Sequence, residues 1–64
     1  MNPWILIVCM SVDFSTICNV LYQFQFDTRE MCERHRAAAL EQNPQLTYAI
    51  CVNDYNVADE FSHE

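Results

Sequence analysis

The chain contains no glycine, the residue that most readily adopts a positive φ angle. Turns that need the left-handed region therefore fall to Asn or Asp, and Asp13, Asn43, Asn53 and Asn56 lie at the predicted breaks. The absence of glycine also excludes the glycine-rich phosphate loops of nucleotide-binding proteins. A short chain without glycine loops offers little room for a pocket, and no serine triad or carboxylate dyad is evident. We therefore expect no enzymatic activity and no cofactor.

Lysine is also absent, and the only cations are Arg29, Arg34 and Arg36, against nine acidic residues and a formal net charge of -6. Binding to a nucleic-acid backbone needs a basic patch, so nucleic acid is not an expected partner. An acidic membrane surface would repel the chain in the same way. A basic protein is the electrostatically favoured partner.

No long hydrophobic run occurs among the 64 residues. The apolar run from Trp4 to Met10 is too short for a membrane span, which needs about 20 residues. It also lacks the basic flank and small-residue cleavage site of a signal peptide. We interpret the run as a buried strand. Because no export signal is visible, a cytoplasmic location is favoured, for example the cytoplasm of a host cell.

The elements that are present predict a small α+β domain with the order β-β-α-β. Strand one, Trp4 to Val12, is apolar on both faces, which is typical of a central strand. A second strand, from about Thr16 to Phe26, shows a period of two, and the residues predicted to share one face are Val20, Tyr22, Phe24 and Phe26. Strand three is predicted from Leu46 to Val52.

The helix is predicted from about Thr28 to Gln42, with Asp27 as its N-cap and Glu30 at the third helical position. These elements give an antiparallel sheet in the order 2-1-3 with one helix on one face and the other face uncovered. Residues 1–54 form this domain. Residues 55–64 are interpreted as an acidic, mobile tail.

Four cysteines suggest a covalent staple for a marginal core. Cys32 on the helix and Cys51 on strand three are predicted to stand at similar heights, so they can form a disulfide. The alternative is two ordinary buried thiols. Cys9 and Cys18 are expected to remain free or to pair with each other across the hairpin. If Cys51 faces the helix, Thr47 and Ala49 do so as well, and Tyr48 and Ile50 face away.

Cys32 and His35 share a helix face and form half of a possible zinc site, which Cys51, Cys9 or His63 would complete. The same pair raises the possibility of a nucleophilic thiol beside a base. We favour the simpler interpretation, a helix-face histidine next to a structural cysteine, and predict no metal site.

The stretch from Phe26 to Val52 resembles a loose class of small uncharacterised bacterial and phage proteins. The resemblance lies in Phe26, the polar cap Asp27-Thr28, the helical Cys32, the alanines 37–39 and a final strand holding Cys51. It implies a β-β-α-β domain with a Cys32–Cys51 bridge, and it implies no activity.

Two functional hypotheses follow. The first is a small acidic protein-binding module, such as a phage or accessory inhibitor of a larger host protein. The second is a structural or assembly protein that self-associates, for example as a homodimer, through the uncovered sheet face. The residues predicted at the interface are Leu46, Tyr48, Ile50, Val52, Tyr55 and Phe61.

Overall fold

The computed structural model describes residues 3–62, and the side chains of residues 61 and 62 lie outside that description. The elements are β1 (Trp4–Val12), β2 (Ser15–Phe26), α1 (Arg29–Gln42), β3 (Leu46–Val52) and α2 (Tyr55–Ser62). The strands form one antiparallel sheet in the order β2-β1-β3. The predicted α+β class, β-β-α-β order and sheet order are confirmed. The molecule is a slab of 38 × 27 × 14 Å.

Strand β1 is the centre of the sheet and is buried on both faces. Leu6 packs with Cys32 and Ala49 on the face that carries α1. Ile5 and Ile7 are fully buried on the opposite face. The two-sided apolar pattern of β1 therefore predicted its central position correctly, because only a central strand can bury both sets of side chains.

A bulge in β2 breaks the predicted alternation of its aromatic residues. Ile5 pairs with Gln25 while Leu6 pairs with Leu21, so residues 22–24 of β2 have no counterpart on β1. The insertion changes which face each later side chain takes. Tyr22 packs on the Ile5 face, whereas Phe26 packs on the Leu6 face. The prediction that Val20, Tyr22, Phe24 and Phe26 share a face was therefore wrong.

Helix α1 begins one residue later than predicted, and its N-cap is Thr28 instead of Asp27. The Thr28 side chain accepts a hydrogen bond from the backbone N–H of Met31 at 3.2 Å. The cap therefore satisfies one of the free amides of the first turn. Glu30 remains in that turn, where its charge is favourable to the helix dipole.

All three arginines pair with glutamates along α1. The contacts are Arg29–Glu33 at 3.8 Å, Arg34–Glu30 at 3.4 Å and Arg36–Glu33 at 2.6 Å. The first two join residues at i and i+4, and each contributes a few tenths of a kcal/mol at an exposed helix surface. Helix α1 therefore presents nearly neutralised charge.

The cap assignment predicts unequal effects for two neighbouring substitutions. Thr28→Ala should lower the free energy of unfolding by about 1 kcal/mol, because it removes the hydrogen bond to the Met31 amide. Asp27→Ala should lower it by only about 0.3 kcal/mol, since it removes a charge near the dipole and no bond. Urea denaturation of both variants measures the difference. A larger loss of unfolding free energy for Asp27→Ala would show that Asp27 is the N-cap.

A second helix, α2, lies where the sequence suggested an acidic tail, and it packs on the face opposite α1. Ala58 is fully buried in a cluster with Ile5, Ile7 and Cys9. The expectation that this sheet face is uncovered was therefore wrong. An eight-residue helix is too short for its apolar period to be evident in the sequence.

Polar contacts anchor α2 at its start and along its side. The Asp54 carboxylate accepts the Asn56 backbone N–H at 2.8 Å, as an N-cap residue does. The Tyr22 hydroxyl donates to Asp59 Oδ1 at 2.6 Å. The rings of Tyr22 and Tyr55 stack with centroids 5.8 Å apart. Helix α2 is thus tied to β2 by one residue of the bulge.

Candidate interaction surface

The four cysteines form two disulfides, one on each face of the sheet. Cys32–Cys51 joins α1 to β3 with a Cα–Cα distance of 6.2 Å, within the usual disulfide range of about 4.4–6.8 Å. Cys9–Cys18 joins the two strands of the hairpin. The Cys32–Cys51 prediction is confirmed, and Cys9 and Cys18 follow the paired alternative.

These bridges remove the thiols on which two chemical alternatives depended. Cys32 is bonded to Cys51, so it is neither a thiolate ligand nor a nucleophile beside His35. The His35 Nδ1–H donates to the Met31 carbonyl at 3.0 Å, and its ring lies 4.6 Å from that of Phe26. Within residues 3–62 no group of three potential metal ligands converges. His63 lies outside the described residues.

The β1–β2 hairpin extends beyond the rest of the sheet. Pairing of β1 with β3 ends at Met10, whereas pairing of β1 with β2 continues to Val12 and Ser15. Every residue from 11 to 17 is exposed. Val12 and Ile17 are apolar members of this segment. The end of the hairpin is therefore a projection with exposed apolar residues, and neither described helix covers it.

Two residues, Asp13 and Phe14, close the hairpin, and both have positive φ angles, 48° and 70°. Two central residues of positive φ are the mark of a type I′ turn, whose twist matches that of the strands. The sequence predicted Asp13 in such a role. The sequence also places Phe14 in the connection, as the middle residue of Asp13-Phe14-Ser15, but does not predict its positive φ, because a bulky side chain is a genuine outlier in the left-handed region. Its side chain is fully exposed, at 110% of the reference area.

The residues predicted at an interface fall into different environments. Tyr48 is 42% exposed, while Ile50 and Val52 pack partly against the Ile5 face. A second register shift places Leu46 opposite Met10, out of step with Tyr48 opposite Cys9. Tyr55 is exposed on α2 beside Tyr22. The side chain of Phe61 is outside the described residues.

A groove of about 430 Å³ runs between α1 and β2. Phe24 and Phe26 form its β2 side, and His35, Ala38 and Ala39 line the helix side. The lining is mostly apolar, which is typical of ligand sites, but few polar groups converge to orient a small molecule. The groove follows from the bulge, which turns Phe24 toward α1.

Charge is distributed unevenly between the two faces. The arginines of α1 are paired with Glu30 and Glu33, as described above. Helix α2 carries Asp59 and Glu60 and follows Asp54, and no basic residue occurs from 37 to 62. The α2 segment is therefore acidic in composition, and Asp13 adds a further acidic residue at the turn of the hairpin.

No helix in the described part of the chain has the length and apolarity required to cross a membrane. Comparison of the sequence and fold with protein-family models, curated proteins and solved structures finds no match to this chain.

Proposed function

We propose that this protein is a small acidic protein-binding module that contacts its partner through the end of the β1–β2 hairpin. The observation that carries the proposal is Phe14, an aromatic residue that is fully exposed at φ 70°. Val12 and Ile17 extend the apolar contact along the hairpin. Inhibition of a larger protein is one form that such binding can take.

The position of Phe14 is unfavourable for the free protein. A left-handed backbone costs roughly 1–2 kcal/mol for a residue with a Cβ, and an exposed ring recovers nothing by burial. Asn or Gly would close the same turn with less strain. Backbone strain of this kind is concentrated at functional sites. An aromatic side chain buried in a partner's pocket would offset the strain, as interface anchors do.

The partner is expected to offer an apolar pocket with basic residues around it. Asp13 is adjacent to Phe14, and the chain carries a net charge of -6 with its arginines already paired. Complementary charge at the rim of an interface accelerates association and excludes acidic competitors. Association should therefore be faster at low ionic strength.

Phe14→Asn should stabilise the fold and abolish partner binding. We expect the free energy of unfolding to rise by about 1 kcal/mol, because Asn tolerates the left-handed region. Loss of an aromatic anchor should weaken binding about 30-fold or more. Thermal unfolding and quantitative pull-down with the immobilised chain measure the two effects.

Phe24→Asn is the matched control, since Phe24 is an exposed aromatic residue, at 51%, away from the turn. Proteins retained by the unmodified chain and by Phe24→Asn, but lost with Phe14→Asn, are the expected partners. Equal retention by Phe14→Asn would exclude the hairpin as the contact. A lower free energy of unfolding for Phe14→Asn would show that Phe14 does not strain the turn.

A further inference from the structure

Strand β3 presents an unprotected edge. Its only strand neighbour is β1. In the described part of the chain, the backbone of residues 47–52 makes no hydrogen bond outside that pairing. Natural edge strands are usually blunted by charges, prolines or bulges. The segment from Tyr48 to Val52 has none of these.

The opposite edge of the sheet differs in this respect. Strand β2 is interrupted by the unpaired residues 22–24, which distort its outer edge. A bulge of this kind prevents regular pairing with another strand. Strand β2 is regular from Ser15 to Leu21 and is then interrupted within the strand, whereas the regular stretch of β3 runs from Tyr48 to the end of the strand at Val52.

We propose that β3 pairs with β3 of a second copy of the chain, antiparallel and about a two-fold axis at Ala49. The sequence of β3 is nearly self-complementary around this residue. Each copy would place Tyr48 beside Ile50 of the other, on either side of the Ala49 pair, and the register shift at Thr47 ends the regular pairing there. No charged residues face each other in this pairing. The result is a six-stranded sheet. This inference is independent of the hairpin contact.

The hydrogen-bonding pattern of the sheet is compatible with this axis. Cys9 and Cys18 are cross-strand partners with a Cα–Cα distance of 4.0 Å, the short spacing of a non-hydrogen-bonded pair. The backbone groups of Cys9 and Ile7 therefore point toward β3, where they meet Tyr48 and Ile50. Alternation then directs the N–H and C=O of Ala49 outward. A two-fold axis at Ala49 thus places the N–H of each Ala49 opposite the C=O of the other, so that the two residues can form a pair of hydrogen bonds.

The side chains that flank the edge also favour a second copy. Tyr48 is 42% exposed, and α2 makes its main contacts with β2, away from this edge. In the paired sheet Tyr48 lies beside Ile50 of the second copy, and the reverse contact is equivalent. Aromatic–aliphatic pairs across antiparallel strands contribute about 0.2–1 kcal/mol each. The edge therefore offers apolar contacts as well as hydrogen bonds.

The α1 helices have room on the same face. Cys32 packs on both Leu6 of β1 and Ala49 of β3, so α1 lies over this strand pair. With strands about 4.8 Å apart, two such helices stand roughly 10 Å apart across the axis, a normal packing distance. His35 and Ala39 face the groove, so the opposite flank carries Glu33 and Arg36. An antiparallel helix pair can therefore match Arg36 of one copy with Glu33 of the other.

Sedimentation equilibrium of the oxidised chain tests the proposal. We expect a mass twice the 7.5 kDa of one chain at micromolar concentration. In a chemically synthesised chain, N-methylation of Ala49 removes the outward amide without changing the side chain. Its dissociation constant should rise about 30-fold or more, because two symmetric hydrogen bonds are lost. N-methylation of Val20, whose amide points outward from the β2 edge by the same alternation, should leave dimerisation unchanged.

Tyr48→Lys provides a second test, since lysine is a usual blocking residue of edge strands. It should give a monomer with unchanged circular dichroism, whereas Phe14→Asn should remain a dimer. A monomer for the unmodified chain at millimolar concentration would overturn the proposal. So would a dimer that survives N-methylation of Ala49 or is broken by N-methylation of Val20.

Discussion

Replacement of Cys32 and Cys51 together by alanine should lower the free energy of unfolding by about 3 kcal/mol or more. The bridge closes a sequence separation of 19 residues, for which the chain-entropy model gives roughly 3 kcal/mol. Cys32 is also fully buried between α1 and the sheet, so its removal leaves unfilled space. Guanidinium denaturation of the oxidised protein and of the variant measures the loss. Reduction of the unmodified chain opens both bridges, so it should lower the free energy of unfolding by more than the double replacement does.

The matched control is the double replacement of Cys9 and Cys18. Their sequence separation is only 9, and the turn and the strand pairing already hold them together. The chain-entropy model therefore assigns this bridge a smaller contribution, by about 0.6 kcal/mol. If the hairpin variant were the less stable of the two, attachment of α1 to β3 would not be the main covalent contribution to the fold.

Ala58→Glu should release α2 from the sheet. Ala58 is fully buried against Ile5 and Ile7, where a carboxylate would have no partner and no space. We expect the free energy of unfolding to fall by about 2 kcal/mol, with loss of helicity from α2. Binding of a hydrophobic dye should increase, because the Ile5 face becomes exposed to water. Circular dichroism and dye fluorescence report the two effects.

Val57→Glu is the control for this substitution. Val57 precedes Ala58 on the same helix but is 36% exposed, so the new charge can remain in water. Both variants have the same net charge, but Ala58→Glu lowers helix propensity whereas Val57→Glu raises it, so dye binding is the property to compare between them. Equal dye binding by the two would mean that α2 is not held through Ala58.

The sequence predicted those parts of the fold that depend on strong, regular patterns. Apolar residues on both sides of β1 indicated a central strand, and the bounds Trp4–Val12 and Leu46–Val52 agree with the structure. The expected heights of Cys32 and Cys51 indicated the bridge. The orientation of β3 stayed open in the sequence, because without the bridge the larger side chains were the natural inward set. In the structure Ala49 and Cys51 are on the α1 side, as strand alternation requires when the bridge is present.

The errors arose where a local irregularity replaced a regular pattern. A period of two assumes uninterrupted pairing, and nothing in the sequence signals that residues 22–24 lack a counterpart on β1. Residues 55–62 alternate isolated apolar residues with polar ones and include two acids, so their packing through a single buried alanine was not evident. Phe14 was predicted within the connection between β1 and β2, but its positive φ was not, because turn rules assign that region to Asn, Asp or Gly. The most informative candidate contact was therefore the residue that local propensity disfavours.

The central position of β1 has a consequence for the exchange of backbone amide hydrogens with solvent. Each amide of β1 within the paired region faces one of two neighbouring strands, whereas alternate amides of β2 and β3 face outward. Outward amides exchange without unfolding, and those of β1 exchange only when the sheet opens. In the free chain, slow hydrogen exchange is therefore continuous along β1 and alternates along its neighbours. Pairing through β3 would extend continuous protection to that strand and leave β2 unchanged.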